Sequence, residues 1–189
     1  PPSGPGRARD RGLCQEWGAG VMARRTVIGV MGGSEASTVT AAAARELGAL
    51  IAREGWVLLN GGRPTGVMAA VTAGAHEAGG LTVGVRYDDD RDGAADGLDI
   101  VIPTGMGAAR NAVNVLASDV VVACRGRGGT LSEIALALRF NRPVVLLDFD
   151  PGENFLTQAG GEAGLWRRAA TPAQAVAHCR ALLARAGRA

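Results

Sequence analysis

Short apolar runs rich in β-branched residues recur along this chain, and between them lie longer stretches whose apolar residues fall at three- and four-residue spacing. This alternation of strand and helix periods limits the fold more than any other feature. TVIGVM (26–31), WVLLN (56–60), LTVGVR (81–86), DIVIP (99–103), DVVVAC (119–124) and PVVLLDF (143–149) read as strands. Helices are expected over 38–53, 67–78, 108–117 and 131–140, and a closing helix runs from about 172 to 186, with Thr171 as its cap and Pro172 at its first position. Gly55 ends the first helix, and Gly79 with Gly80 stops the second. Strands that are apolar throughout belong to a sheet covered on both faces, which is the parallel arrangement. The expected fold is α/β, a single Rossmann-like, doubly wound domain with a mostly parallel sheet of about six or seven strands.

A chain of 189 residues with 47% hydrophobic content suffices for one such core. Residues 1–21, rich in Pro, Gly and Arg and without period, are expected to be a disordered N-terminal extension, which places the domain at 22–189. All 20 basic residues are arginine, which removes Schiff-base chemistry and the lysine of a GxxxxGK[ST] phosphate loop. With a net charge of +2, the arginines are spread among acidic residues, and no basic, aromatic-interleaved face argues for nucleic acid. Cys14, Cys124 and Cys179 lack metal-ligand spacing and read as reduced thiols of a cytoplasmic protein. No metal site is expected, and no apolar run reaches the ~20 residues of a membrane span.

Ligands of open parallel sheets bind at the carboxyl ends of the strands, so the loops leaving those ends carry the functional reading. The strongest is RGRGGTLSEIALAL (125–138), where a glycine-rich turn runs from a strand straight into a helix. Backbone NH groups of Gly126, Gly128, Gly129 and Thr130 would there face a bound anion at the positive end of the helix, with Arg125 and Arg127 as added donors. The first loop offers Gly32, Gly33 and Ser34; the second offers Gly61, Gly62 and Gly66, with Arg63 placed to bind phosphate. Residues sixty onward lack GxGxxG spacing and its later acidic partner, since Arg86 and Tyr87 stand there, so the dinucleotide fingerprint fails. The third loop carries Met106 and puts Arg110 in the first turn of a helix, where the dipole disfavours a cation unless an anion lies nearby. The acidic loop 87–97 reads as solvated aspartates. Thr130 and Glu133 have capping-box spacing, yet Arg110 and Glu133 both fall at helix starts after neighbouring strands and would face one crevice.

GGRPTGVM at 61–68, AGGLTVGV at 78–85, GMGAARN at 105–111, and GxGGTLSEIALAL followed by NRPVVLL resemble the lysine-decarboxylase-like LOG superfamily, and within it the DprA-related branch that includes the molybdenum cofactor carrier protein. The resemblance is collinear from about Thr26 to Leu147 and implies a Rossmann-like nucleotide-binding fold. Its catalytic members, phosphoribohydrolases, carry PGGxGTxxE and an arginine in an RK pair; here Gly126, Gly129, Thr130 and Glu133 match, and Arg110 stands at the arginine. Arg125 replaces the proline, Arg127 a glycine and Asn111 the lysine, so an Arg127 side chain either crowds the phosphate cradle or donates to it. These departures favour a carrier that binds a nucleotide or molybdopterin-type cofactor through Arg63, Ser34 and the loop around Arg127, with no further cofactor required. The alternative is cleavage of the N-glycosidic bond of nucleoside 5'-monophosphates, with Arg110 and Glu133 as catalytic residues: Glu133 stabilises charge on the ribose or activates water, and Arg110 orients it. Relatives imply a homodimer or homotetramer.

Overall fold

The computed structural model describes residues 24–160, 162 and 164–187; the extension expected over residues 1–21 lies outside the described residues. The elements run β1 (Val27–Met31), α1 (Thr38–Arg53), β2 (Val57–Asn60), α2 (Gly66–Glu77), β3 (Thr82–Arg86), β4 (Ile100–Pro103), α3 (Arg110–Ala117), β5 (Val120–Ala123), α4 (Gly128–Arg139), β6 (Val144–Leu147), α5 (Glu153–Gln158), β7 (Trp166–Ala169) and α6 (Pro172–Arg185). The seven strands form one sheet in the order β4-β3-β2-β1-β5-β6-β7, and every neighbouring pair is parallel.

Period-two alternation sorts the strand side chains into two cores. Val120 and Val122 of β5, and Val145 and Leu147 of β6, join α1, α2 and α6 on one face. Their neighbours Val121, Ala123, Val144 and Leu146 join α3, α4 and α5 on the other. Both faces of the central strands are therefore dry, as their unbroken apolar sequence requires.

Helix α1 begins where Ser37 Oγ accepts from the Thr40 amide at 3.1 Å, and α6 where Thr171 Oγ1 accepts from the Gln174 amide at 3.2 Å behind Pro172. The α1 and α2 helices touch backbone to backbone through glycine. A Cβ on Gly48 would stand 2.1 Å from the Val71 carbonyl oxygen, and one on Gly74 would stand 1.9 Å from that of Arg45.

Two elements were not expected, α5 and β7. The latter, WRRA, is an edge strand that pairs among the described residues with β6 alone, and its two arginines break the apolar run that marks β5 and β6. Helix α4 also starts three residues earlier than its apolar period, at Gly128, behind an N-cap residue, Arg127, whose side chain makes no capping bond.

Candidate functional site

Strand order reverses between β1 and β5, so the loops that leave these two strands splay apart onto opposite faces and leave a crevice at their carboxyl ends. Backbone bonds hold its rim together. The Cys124 amide donates to the Met31 carbonyl at 2.8 Å, the Gly33 amide to the Arg125 carbonyl at 3.1 Å, and the Val67 amide to the Gly33 carbonyl at 3.0 Å. One cleft of about 620 Å3 opens there, within the size of small-molecule sites.

The cleft collects residues from all the strand-end loops singled out in the sequence. Gly32, Gly33, Ser34, Gly61, Arg63, Arg110, Gly126, Arg127, Gly129, Thr130 and Glu133 line it. Gly62, Gly66, Met106 and Gly128 stand outside that lining. Gly62 (φ +71°) and Gly66 (φ +61°) turn the chain in a conformation suited to glycine, and a Cβ on Gly66 would meet the Gly33 carbonyl oxygen at 2.3 Å. Met106 is largely exposed beside the mouth.

Glu133 and Arg110 form the floor. Both are nearly buried, at 6% and 8% exposure, and Arg110 Nη1 lies 3.6 Å from Glu133 Oε1. The same carboxylate oxygen accepts from Asn114 Nδ2 at 3.0 Å. Burial pushes the Glu133 carboxyl above the ordinary glutamate range, against the opposing pull of the Asn114 hydrogen bond and the Arg110 charge. Burial also weakens the hold of Arg110 on its proton; Glu133 opposes this and the like charge of Arg63 adds to it. The guanidinium packs so closely on loop two that a Cβ at Gly61 would stand 2.6 Å from both Nη1 and Nη2. Arg110 Nε and Asn114 Oδ1 are buried without a hydrogen-bond partner among the described residues, an arrangement that costs free energy unless something is gained by it.

The capping-box reading of Thr130 and Glu133 does not describe the structure, because Thr130 lies inside α4 and Glu133 points to Asn114 and Arg110. Helix α4 instead opens on Gly128 and Gly129, where an added Cβ meets nothing within 4 Å. Amides at such a helix start lack intrahelical acceptors and favour an anion by about 0.3–1 kcal/mol. Arg127 does not crowd this cradle, since its guanidinium turns outward to Glu35 at 2.9 Å and ties loop four to loop one. Asn111, in place of the family lysine, donates to Ser132 Oγ at 2.8 Å and fastens α3 to the first turn of α4.

The lining carries Arg63, Arg110, Arg125 and Arg127 against Glu35 and Glu133. Two of these cations are paired, while Arg63 and Arg125 have no carboxylate within ion-pair distance among the described residues. The cleft is thus net positive. Sequence reasoning missed Asn114, which signals nothing in a helix of mixed polarity, and Tyr87, which it assigned to a solvated loop. A signal for Tyr87 existed: it directly follows a strand end, and it is the single tyrosine of the chain.

A family model described as the SLOG cluster4 family matches residues 25–176. The chain belongs to this family. Membership covers every strand of the sheet and both helices of the Arg110–Glu133 pair. Among solved structures, this SLOG chain is similar to the molybdenum cofactor binding protein from the phototrophic bacterium Rippkaea orientalis, with 43% identity, a TM-score of 0.79, and coverage of 85% of this chain and 98% of that one. It is likewise similar to the molybdenum cofactor carrier protein from Chlamydomonas reinhardtii, with 44% identity, a TM-score of 0.78, and coverage of 85% and 99%. An uncharacterized protein from Archaeoglobus fulgidus is 43% identical over 120 residues, spanning 64% of this chain and 78% of its own length. The fold expectation and the LOG-like resemblance both hold. No helix among the described residues is long and apolar enough to cross a membrane, and none of their His, Cys, Asp and Glu side chains cluster to hold a metal ion. Burial pushes the thiols of Cys124 and Cys179 up to about 12, which disfavours the thiolate.

Proposed function

We propose that this SLOG protein binds a phosphate-bearing small molecule, a molybdopterin-type cofactor or a nucleotide, in the switch-point cleft and acts as a carrier. The observation that carries the reading is the surplus of positive charge in the cleft at the glycine-rich start of α4, with Arg63 and Arg125 lacking a carboxylate partner among the described residues. Ser34 and the turn Gly126–Thr130 supply hydroxyl and amide donors on one side, and Arg63 lines the cleft from loop two. The likeness to cofactor-binding and carrier proteins over nearly their whole length supports a cargo of that kind. Equilibrium titration of the purified chain with molybdenum cofactor and with nucleoside 5'-monophosphates tests it; a cleft that takes up neither overturns the reading.

A second reading, phosphoribohydrolase activity, draws on the Arg110–Glu133 pair. A carboxyl whose pKa burial raises, beside a guanidinium at 3.6 Å, is chemically suited to meet positive charge on a ribose or to activate water. Incubation with AMP, followed by analysis for free base and ribose 5-phosphate, separates the two. Release that vanishes in Glu133→Ala supports turnover, and binding without release supports the carrier. For the assembly we propose a homodimer or homotetramer in the cytoplasm, supported by the exposed Ile100, Ile102 and Leu116; sedimentation equilibrium tests the oligomer, and a monomer refutes it.

A further inference from the structure

The two ends of the cleft differ in chemistry. At the switch point the lining is backbone amide and glycine, whereas beside β2 and β3 it is an arginine laid on an aromatic ring: the Arg63 guanidinium carbon sits 4.5 Å from the Tyr87 ring centroid, and both residues line the cleft. Tyr87 retains 36% exposure, yet its segment is anchored. Its carbonyl accepts from the Gly107 amide at 3.0 Å, the next carbonyl, of Asp88, accepts from Thr104 and Gly105 at 2.9 and 2.8 Å, and the preceding one, of Arg86, accepts from Thr104 Oγ1 at 2.7 Å. Arg86 itself is buried and paired with Asp88. Arg63 has no carboxylate partner among the described residues, and its guanidinium rests on the ring.

A fixed ring beneath Arg63 holds the guanidinium plane in place, which is of use to a flat ligand as well as to an anion. A guanidinium held against an aromatic face is planar and weakly hydrated, and it stacks well with a second flat π-system. We propose that the Arg63–Tyr87 pair is the subsite for a flat, fused heterocycle, a purine or a pterin, attached to the phosphate ligand. The phosphate then lies at the start of α4 and the ring against Arg63 and Tyr87, so the ligand spans the cleft from the switch point to β3. This rests on the phosphate-ligand reading above and adds orientation and ring recognition to it.

The test compares GMP, whose guanine shares the amino-oxo pyrimidine ring of a pterin, with ribose 5-phosphate, which keeps the phosphate and sugar and lacks the ring. With the full chain, GMP binds the more tightly. Tyr87→Ala weakens GMP about 5- to 150-fold, the worth of one stacked base, and leaves ribose 5-phosphate within about twofold. Tyr87→Phe retains GMP affinity because the ring face persists. Arg63→Lys keeps the charge and loses the plane, so it weakens GMP more than ribose 5-phosphate. Equal affinity of the two ligands for the wild-type chain, or equal loss of both in Tyr87→Ala, overturns the subsite while leaving phosphate binding intact. Binding of neither overturns the phosphate reading and this inference together.

Discussion

Gly61→Ala would probe the floor of the cleft through a single methyl group. Ordinary van der Waals contact begins near 3.4 Å, and the new Cβ would stand 2.6 Å from Arg110 Nη1 and Nη2, about 0.8 Å too close. The backbone at Gly61 has no positive φ to strain, so the conflict falls on the guanidinium. Arg110 is 8% exposed and lies 3.6 Å from Glu133, so a shift of its guanidinium changes its placement against that carboxylate. Because the atoms met are the far end of a flexible side chain, the cost in stability stays at or below about 1 kcal/mol. The larger effect is on ligand affinity, because a charge-assisted hydrogen bond worth about 1.5–3 kcal/mol is misplaced, giving roughly 10- to 150-fold weaker binding of a phosphate ligand. Calorimetric titration with GMP measures this directly, and a double-mutant cycle with Arg110→Met assigns the cause. If the methyl group acts through the guanidinium, Gly61→Ala costs little further affinity once Arg110 is gone. Additive losses in the cycle, or wild-type affinity in Gly61→Ala alone, would refute the reasoning.

Stability should depend on pH through Glu133. Its carboxyl sits above the ordinary value of 4.5 because of burial, so its contribution is complete below 4.5 and is lost as pH rises through the folded-state value. Urea unfolding should therefore show wild type losing stability relative to Glu133→Gln as pH is raised from 4.5, and a relative gain would mean that Arg110 outweighs burial. Gly48→Ala should cost at least about 2 kcal/mol in the same assay, because its Cβ meets the Val71 carbonyl oxygen at 2.1 Å and a helix backbone has to move; a change below about 0.5 kcal/mol contradicts the close α1–α2 contact. Ser37→Ala should lose about 1 kcal/mol with the cap of α1, and an unchanged denaturation midpoint argues that water replaces it. Ligand at about a hundred times its dissociation constant should add about 2.7 kcal/mol, a rise of several degrees in melting temperature, in wild type and much less in Arg110→Met.

The inner strands were legible because apolar, largely β-branched residues dominate them, and a run such as Val120–Ala123 fits a short strand dry on both faces. The edge strand β7 was not, since Trp166–Ala169 needs one partner only and spends two positions on arginine. The turn glycines were found correctly as features of strand ends, but their duties differ in a manner no spacing reveals. Gly61 makes room for Arg110, Gly66 locks α2 to loop one, and Gly126 makes room for the Thr130 side chain, whose Oγ1 would be 2.0 Å from an added Cβ.

The linear chain determined that strands and helices alternate, that the sheet is parallel and wrapped, and that glycine-bearing turns follow the strands, since each of these is written in the spacing of neighbouring residues. The sequence reading set Arg110 and Glu133 at one crevice by taking their strands as neighbours, but β4 and β5 lie four places apart in the sheet. The tertiary structure decided which turns share the cleft, because adjacency of β1 and β5 joins segments more than ninety residues apart. The same long-range assembly set Asn114 against Glu133 and laid Arg63 on Tyr87. Periodicity acts within a few residues, whereas burial, the pairing of charges and the stacking of rings depend on distances in space, and these exist only after the sheet has closed.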